Sequence, residues 1–302
     1  MAAAEWVAID WGTSNVRAWG ITAGGGIGFS ASSEQGMGRL EPAQFPNILD
    51  QLVGDRTAGR LDVMICGMAG AREGWREAPY LTTPVDLHQL GAAAVVPTGA
   101  DPRYSPRILP GIRQTAAGRE DVMRGEETQL LGLLALNPGF EGTAILPGTH
   151  SKWARLAGGR VTDFSSAMTG ELYDLLAHQS VLRHSVGGDH DAPHTTEGRS
   201  DGIEAGLAAP QLLSSLIFRA RAAALVSAKS PGWSAGYLSG VLVAAEIAGH
   251  RDWLGDQPVP LIGSESLCSI YAEVLARLGV KSLFITAVDA TIAGLTLARQ
   301  QS

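Results

Sequence analysis

Short apolar runs followed by alternating apolar and polar positions recur at two distant places in the chain, 6–30 and 144–164. Each copy opens with a run of strand length, turns at a Gly-Thr pair, and continues with alternating residues, a glycine-rich turn and a third strand pattern. The two pairs are Gly12-Thr13 and Gly148-Thr149. The pattern predicts a duplicated strand-turn-hairpin unit. Backbone N–H groups and hydroxyls at two such facing turns would form a clamp for a polyphosphate.

Strand and helix patterns alternate outside these two copies. Apolar runs predict a strand at 61–66 and strands or strand-helix junctions at 237–243 and 281–285. Helical spacing predicts helices at 121–136, 170–182, 210–227, 264–278 and 291–299. Strands that alternate with helices indicate an α/β architecture.

The segment Asn137-Pro138-Gly139 combines residues that end helices, and we predict the boundary between two lobes there. The N-terminal lobe is then 1–137 and the C-terminal lobe 138–302. This division is compatible with a last helix that returns towards the N-terminal lobe.

The composition and charge of the 302-residue chain narrow the class of protein. Lysine and arginine number 23 against 30 acidic residues, for a net charge of −7. Because nucleic acid and anionic membranes attract positive surfaces, we expect neither as a partner. Cys66 and Cys268 form no CxxC pair and are expected to be buried thiols in a reducing compartment. Glu5 and Asp10 interrupt the apolar N-terminus, so no leader is predicted and we expect a cytoplasmic protein.

Several strings resemble a known family. Asp10-Trp-Gly-Thr-Ser14 resembles the first phosphate motif of the superfamily that contains actin, heat-shock chaperones and sugar kinases. Longer strings, in the same order along the chain, resemble the 2-dehydro-3-deoxygalactonokinases, also called 2-keto-3-deoxygalactonate kinases. These strings are 67–75 (GMAGAREGW), 121–129 (DVMRGEETQ), 146–153 (LPGTHSKW), 168–171 (MTGE), 237–240 (YLSG) and 261–264 (LIGS).

The resemblance implies a two-lobed actin-like ATPase (ribonuclease H-like) fold with the ATP cleft between the lobes. It also implies ATP-dependent phosphorylation of 2-dehydro-3-deoxy-D-galactonate to its 6-phosphate in galactonate catabolism, with Mg²⁺ as the metal. Alternatives are a kinase for the 2-keto-3-deoxygluconate epimer and a phosphatase of polyphosphate or nucleotides on the same fold. A homodimer stays an open option.

Phosphoryl transfer needs a phosphate cradle, a divalent metal and a base. Asp10 ends the first strand, where its carboxylate is expected to hold Mg²⁺ through water. Phosphate contacts are expected from the first turn, at Gly12, Thr13 and Ser14, and from the second turn, at Gly148, Thr149, His150 and Ser151. Lys152 either adds a cation or points to solvent. Gly263 and Ser264 occupy the place of the adenosine motif, where Ser264 is also a candidate helix N-cap.

The base and the sugar-acid ligands are harder to assign. Glu126 is the preferred base, with Glu127, Asp163 and Glu171 as rivals, and adjacent helix positions let only one of the first two face the cleft while the other is solvated. Arginine suits the substrate carboxylate. The proposed substrate contacts are Arg72 with Arg124 as the alternative cation, Trp75 over the carbon chain, and Thr169 with Glu171 at a helix start.

Histidines and aspartates concentrate at 184–194. These residue types bind transition metals, but their spacing matches no strong zinc pattern. A loop is the preferred interpretation of this segment.

Overall fold

The protein is represented by a computed structural model that describes residues 4–56, 60–188 and 193–302. The chain divides into two compact units. The first unit contains the chain up to Glu141, Leu156–Phe164 and Ala287–Ser302, and the second contains Gly142–Arg155 and Ser165–Thr286.

Strands and helices alternate through both units. In chain order the strands are β1 (Ala4–Trp11), β2 (Val16–Thr22), β3 (Ile27–Ser33), β4 (Leu61–Gly67), β5 (Tyr80–Thr82), β6 (Val85–Asp86), β7 (Tyr104–Ile108), β8 (Gly111–Gln114), β9 (Asp121–Met123), β10 (Gly142–Leu146), β11 (Ser151–Ala157), β12 (Arg160–Ala167), β13 (Val259–Gly263) and β14 (Ser282–Thr286). The helices are α1 (Phe45–Val53), α2 (Glu126–Leu136), α3 (Thr169–Gln179), α4 (Pro193–Ala208), α5 (Leu213–Val226), α6 (Pro231–Gly249), α7 (Glu265–Arg277) and α8 (Ala287–Gln300).

Two large sheets repeat one strand order. The first sheet runs β3-β2-β1-β4-β7, and the second runs β12-β11-β10-β13-β14, with β6 added beside β12. In the first sheet β1 pairs antiparallel with β2 and parallel with β4, and in the second β10 and β14 both run parallel to β13. The predicted duplication is therefore confirmed, and it extends beyond the hairpins to the strands added next to them. The α/β fold class is confirmed as well.

Hydrophobic residues form a separate core in each unit. In the first unit α1 packs on the sheet, with Trp11, Phe45 and Trp75 in mutual ring contact. In the second unit one cluster lies around Trp153 and Tyr271 and a further cluster joins α5 to α6. No described helix is both long and apolar enough to cross a bilayer.

The closest helix pair in the second unit is made by glycines. α4 carries glycine at every fourth position from 198 to 206, and α6 does so from 232 to 240. A Cβ atom at Gly202 or Gly236 would overlap a backbone oxygen of the opposite helix. Only glycine allows the two backbones to approach this closely. The pair forms one wall of the cavity described below.

Three sequence predictions were wrong in part. The helix predicted at 121–136 begins only at Glu126, because Asp121–Met123 pairs with β8 as a strand. The strand predicted at 237–243 lies inside α6, which is buried almost all round, and a continuous apolar run does not distinguish a buried helix from a buried strand. The segment 184–194 was predicted as a loop, but α4 begins at Pro193; residues 189–192 lie outside the described residues.

Candidate active site

The first Gly-Thr turn is a nest of backbone N–H groups. The carbonyl oxygens of Gly12, Thr13 and Ser14 accept hydrogen bonds from the backbone N–H groups of the segment 36–38. In a trans peptide the N–H points opposite to the C=O. The N–H groups that follow these three carbonyls therefore point away from that segment. Successive N–H groups on one side of a turn form an anion site.

Gly36 makes this turn possible, and sequence reasoning missed it. A Cβ atom at Gly36 would overlap the backbone of Thr13 and Ser14. Only a glycine can bring its own N–H close enough to hold the turn in this way.

Asp10 lies near the end of β1, with 18% of its side chain exposed. Its Oδ2 accepts a hydrogen bond from Nη2 of Arg17 at 2.6 Å. Arg17 lies on β2 directly across the hairpin from Asp10. The sequence contained the signal for this pair, since the alternation of β2 places Arg17 at that register.

The start of α2 lies against the end of β4. Gly125 and Gly67 approach closely, and both have positive φ, at 110° and 87°. Glu127 is fully buried; both its oxygens accept from the Gly125 N–H, at 2.9 and 2.7 Å, and Thr128 Oγ1 donates to one of them. Burial, followed by the charge of Glu126, raises the pKa of Glu127 to about 8. The expectation that one of the two glutamates is solvated was wrong, because Glu126 is half-buried and its Oε2 accepts from the Arg124 N–H.

The predicted sugar-acid ligands in the first unit separate into exposed and buried groups. Arg72 is exposed, and no residue in the described part of the chain pairs with its guanidinium. Arg124 stacks over the Tyr80 ring at 4.2 Å and donates to the Ala78 carbonyl oxygen. Trp75 is only 7% exposed and its indole N–H donates to the backbone, so it is a core residue and we no longer include it among the proposed substrate contacts.

The rival base Asp163 is engaged in an ion pair. Both its oxygens accept from the guanidinium of Arg119. A substrate hydroxyl would have to compete with this guanidinium for the carboxylate oxygens.

The second turn packs on the start of α3. A Cβ atom at Gly170 would overlap Gly148 and Thr149, and the Glu171 N–H donates to the Thr149 carbonyl oxygen at 3.0 Å. His150 Nε2 lies 2.6 Å from Glu171 Oε2. The structure thus brings together two residues that were predicted separately, one for phosphate and one for the sugar acid.

Two other residues of the second copy have buried side chains that do not lie beside His150 and Glu171. Ser151 is fully buried, and its hydroxyl bonds the hydroxyl of Tyr271 rather than facing outward. Lys152 is also buried, and its ammonium group donates to the Ser166 hydroxyl. Ser151 and Lys152 contact different partners because neighbouring side chains of β11 point to opposite faces of the sheet. Direct phosphate contact by the Ser151 side chain, and solvent exposure of Lys152, were therefore wrong predictions.

A cavity of about 420 Å³ lies within the second unit. It is bordered by the second turn and by α3, α4, α6 and α7, and its lining includes Gly148, Thr169, Arg199, Ser239, Ser266 and Tyr271. Ser264 caps α7 by accepting from the Leu267 N–H, which confirms the N-cap interpretation. A Cβ atom at Gly263 would meet the Pro147 oxygen at 3.0 Å, so this glycine allows β13 to end close to the second turn.

Sequence reasoning missed most of this cavity. Arg199, Ser239 and Tyr271 were not among the predicted site residues, and Arg199 is fixed by a hydrogen bond from its Nε to Glu273 at 2.8 Å. The signal available in the sequence was the glycine at every fourth position in 198–206 and 232–240, which marks two closely packed helices.

Comparisons with known proteins show which family the chain resembles. A sequence model of the family described as "2-keto-3-deoxy-galactonokinase" matches residues 10–298. The Rhizobium meliloti (strain 1021) protein "Probable 2-dehydro-3-deoxygalactonokinase DgoK1" is 38% identical over 299 residues, covering 98% of this chain and 97% of its own. The Escherichia coli (strain K12) "2-dehydro-3-deoxygalactonokinase" is 33% identical over 279 residues, with 91% of each chain covered.

A solved structure shows the same similarity. The "Crystal structure of a putative 2-dehydro-3-deoxygalactonokinase protein from Sinorhizobium meliloti" has a TM-score of 0.87 and 38% identity, covering 98% of this chain and 96% of its own. The resemblance expected from the sequence strings is thereby confirmed over nearly the whole chain.

Proposed function

Because this chain belongs to the 2-keto-3-deoxy-galactonokinase family, we propose that it transfers the γ-phosphoryl group of ATP to the terminal hydroxyl of 2-dehydro-3-deoxy-D-galactonate. The observation that carries the proposal is the match of the family model to residues 10–298. The two Gly-Thr turns and the cavity support the proposal, because phosphoryl transfer requires contacts to phosphates and a site for the nucleotide.

The nucleotide is assigned to the second unit. The cavity of about 420 Å³ lies in the size range of ligand pockets, and it opens beside the turn that contains Gly148. We assign the adenosine to the space bordered by α4, α6 and α7, with Gly263 and Ser264 at its edge. Phosphate contacts are proposed for the backbone N–H groups of each turn taken by itself, which in the second unit are those of Gly148, Thr149 and His150.

The sugar acid is assigned to Arg72 through its carboxylate. A guanidinium binds a carboxylate with two parallel hydrogen bonds, and that of Arg72 is exposed. Arg124 is the alternative, because its Nη1 is buried and has no hydrogen-bond partner among the described residues. Thr169 and Glu171 are retained as candidate contacts for the hydroxyl groups.

Glu126 is the proposed base. Glu127, with its pKa raised to about 8, largely keeps its proton at pH 7. Asp163 is held by Arg119, and Glu171 lies against His150. In the reaction the proton of the acceptor hydroxyl passes to the Glu126 carboxylate and the hydroxyl oxygen forms a bond to the γ-phosphorus. The bond from the γ-phosphorus to the bridging oxygen breaks, and ADP leaves.

Asp10 fits a role in holding Mg²⁺. The described residues contain no group of three or more His, Cys, Asp or Glu side chains placed to hold a metal ion. Mg²⁺ needs no such group, since it commonly binds one or two carboxylates together with substrate phosphates and water. When bound, Mg²⁺ would neutralise charge on the phosphates.

A coupled assay of ADP release tests this function. The galactonate-derived and gluconate-derived 2-keto-3-deoxy acids are offered separately with Mg-ATP, with a control that lacks acceptor. We expect turnover with the galactonate-derived acid and almost none without acceptor. Preference for the gluconate-derived acid would move the assignment to the epimer. Phosphate release without acceptor would instead support the phosphatase alternative.

A further inference from the structure

One buried carboxylate joins β11 to two helices that border the cavity, α3 and α7. Glu246 lies on α6 and is only 9% exposed. Its Oε1 accepts from the indole N–H of Trp153 on β11, and its Oε2 accepts from the hydroxyl of Tyr271 on α7, each at 2.7 Å. The hydroxyl of Thr169, the first residue of α3, bonds the same carboxylate. A carboxylate this deeply buried is tolerated because all these donors point at it.

The hydrogen bonds form a chain with a defined direction. Tyr271 has one hydroxyl proton and gives it to Glu246. The same oxygen lies 2.7 Å from the Ser151 hydroxyl, so it must accept there and Ser151 must donate. The chain runs from Ser151 through Tyr271 to Glu246. Ser151 is the first residue of β11 and directly follows His150 of the second turn.

The position of this chain distinguishes it from ordinary core packing. Tyr271 and Thr169 both line the cavity, together with Gly148 of the second turn. The elements that Glu246 joins are also those to which we assign phosphate, sugar-acid and nucleotide contacts. Apolar residues of similar volume often stabilise a core as well as a buried charged network does. Stability alone therefore does not account for a directed chain at this place.

We propose that Glu246 is a positioning residue that, through Tyr271 and Ser151, fixes the second turn in the orientation that binds the phosphates of the nucleotide. The inference rests on the proposed function only for its assignment of nucleotide phosphates to that turn. Burial raises the pKa of Glu246, and the hydrogen bonds from Thr169, Trp153 and Tyr271 offset only part of that rise.

The test uses Tyr271→Phe, which keeps the ring that lines the cavity and removes only the hydroxyl. Tyr104→Phe is the matched control, because Tyr104 is also buried and its hydroxyl donates to the carboxylate of Asp50 at 2.9 Å in the first unit. Binding of the ATP analogue AMP-PNP and of adenosine is measured by calorimetry, kcat is measured in the coupled assay, and Tm is recorded for each variant.

We expect Tyr271→Phe to weaken AMP-PNP binding and to lower kcat about ten- to a hundredfold, because a small misplacement of binding groups is costly. Adenosine binding should change less than about twofold, since adenosine lacks the phosphates that the turn binds. Tyr104→Phe should lower Tm with AMP-PNP binding and kcat unchanged. Ser151→Ala should resemble Tyr271→Phe, and the double variant should be no worse than either single change, because both break one chain.

Wild-type AMP-PNP affinity in Tyr271→Phe would overturn the inference, as would additive losses in the double variant. Equal weakening of adenosine and AMP-PNP would also overturn it, since the effect would then be general to the cavity. The binding measurement requires no acceptor. If the wild-type protein phosphorylates neither acid but Tyr271→Phe selectively weakens AMP-PNP, the substrate assignment fails and the positioning role stands.

Discussion

The buried carboxyl of Glu127 makes the stability of the protein depend on pH. Its pKa rises from 4.5 to about 8 on folding, chiefly because burial disfavours the charged form. Between these two values the folded chain keeps a proton that the unfolded chain has released. The free energy of unfolding should therefore fall as pH rises through this window. Each pKa unit corresponds to ~1.4 kcal/mol, so the full loss is on the order of 5 kcal/mol.

Glu127→Gln removes the titration while keeping the size of the side chain. The variant retains an amide oxygen that can accept from the Gly125 N–H, and any change in hydrogen bonding shifts its stability by an amount that does not depend on pH. Relative to the wild type, the variant should therefore gain several kcal/mol between pH 5 and pH 8.5. Glu204→Gln, at an exposed position on α4, is the control and should follow the wild-type curve.

The assay is urea unfolding at five pH values from 5 to 8.5, followed by tryptophan fluorescence, with four of the seven tryptophans in the first unit. The quantity compared is the difference in unfolding free energy between variant and wild type at each pH. A difference that stays constant to within about 0.5 kcal/mol would refute the reasoning, because it would mean that Glu127 is ionised in the folded state at neutral pH.

Three further changes test the packing and the site. Gly236→Ala places a methyl group against the backbone of α4 and should lower the free energy of unfolding by about 1–3 kcal/mol. The control Gly249→Ala has open space around it and should be tolerated. Equal effects of the two changes on Tm would contradict this. Arg72→Ala should raise KM for the sugar acid about tenfold or more and leave KM for ATP unchanged. The control Arg76→Ala should change neither constant. An unchanged KM for the sugar acid in Arg72→Ala would rule out the carboxylate contact. Glu126→Gln should lower kcat about a hundredfold with little change in KM, and full turnover would remove Glu126 from the role of base.

The sequence predicted those parts of the fold that depend on local patterns. The apolar runs and glycine turns identified all six hairpin strands, because strand alternation and turn residues are readable over a few positions. They did not identify α6, whose stretch 237–243 is apolar on nearly every side because the helix is enclosed by α4, α5 and α7. A helix surrounded by protein loses the polar face that makes it recognisable.

The site was predictable to the extent that it consists of backbone turns. The Gly-Thr pairs marked both turns, but the direction of each side chain depends on strand register and on distant partners. Ser151 and Lys152 illustrate this, since one faces Tyr271 and the other faces Ser166. One of Glu126 and Glu127 was predicted to face the cleft and the other to be solvated, and only the packing of α2 on β4 shows that Glu127 is buried.

The duplication also explains how α2 is held. α8 directly follows β14, whereas α2 comes after β7 with the short strands β8 and β9 in between. The two helices pack on each other within the first unit. A Cβ atom at Gly132 would overlap Ala290, and one at Gly294 would overlap Thr128, which is the same contact with the two helices exchanged. Gln129 of α2 donates a hydrogen bond to the hydroxyl of Thr291 of α8, and these two residues are 162 positions apart. Gly132 and Gly294 are also 162 positions apart.

Reciprocal contacts of this kind are expected when two copies of one unit pair about a local two-fold axis. The helix that carries Glu126 and Glu127 is thus oriented by the equivalent helix of the second copy, which is encoded at the far end of the chain. Neither glycine reveals this alone, because a single glycine in a helix more often weakens it than marks a contact. Each helix supplies the glycine that lets the other approach, so the position of α2, which carries the proposed base Glu126, depends on α8.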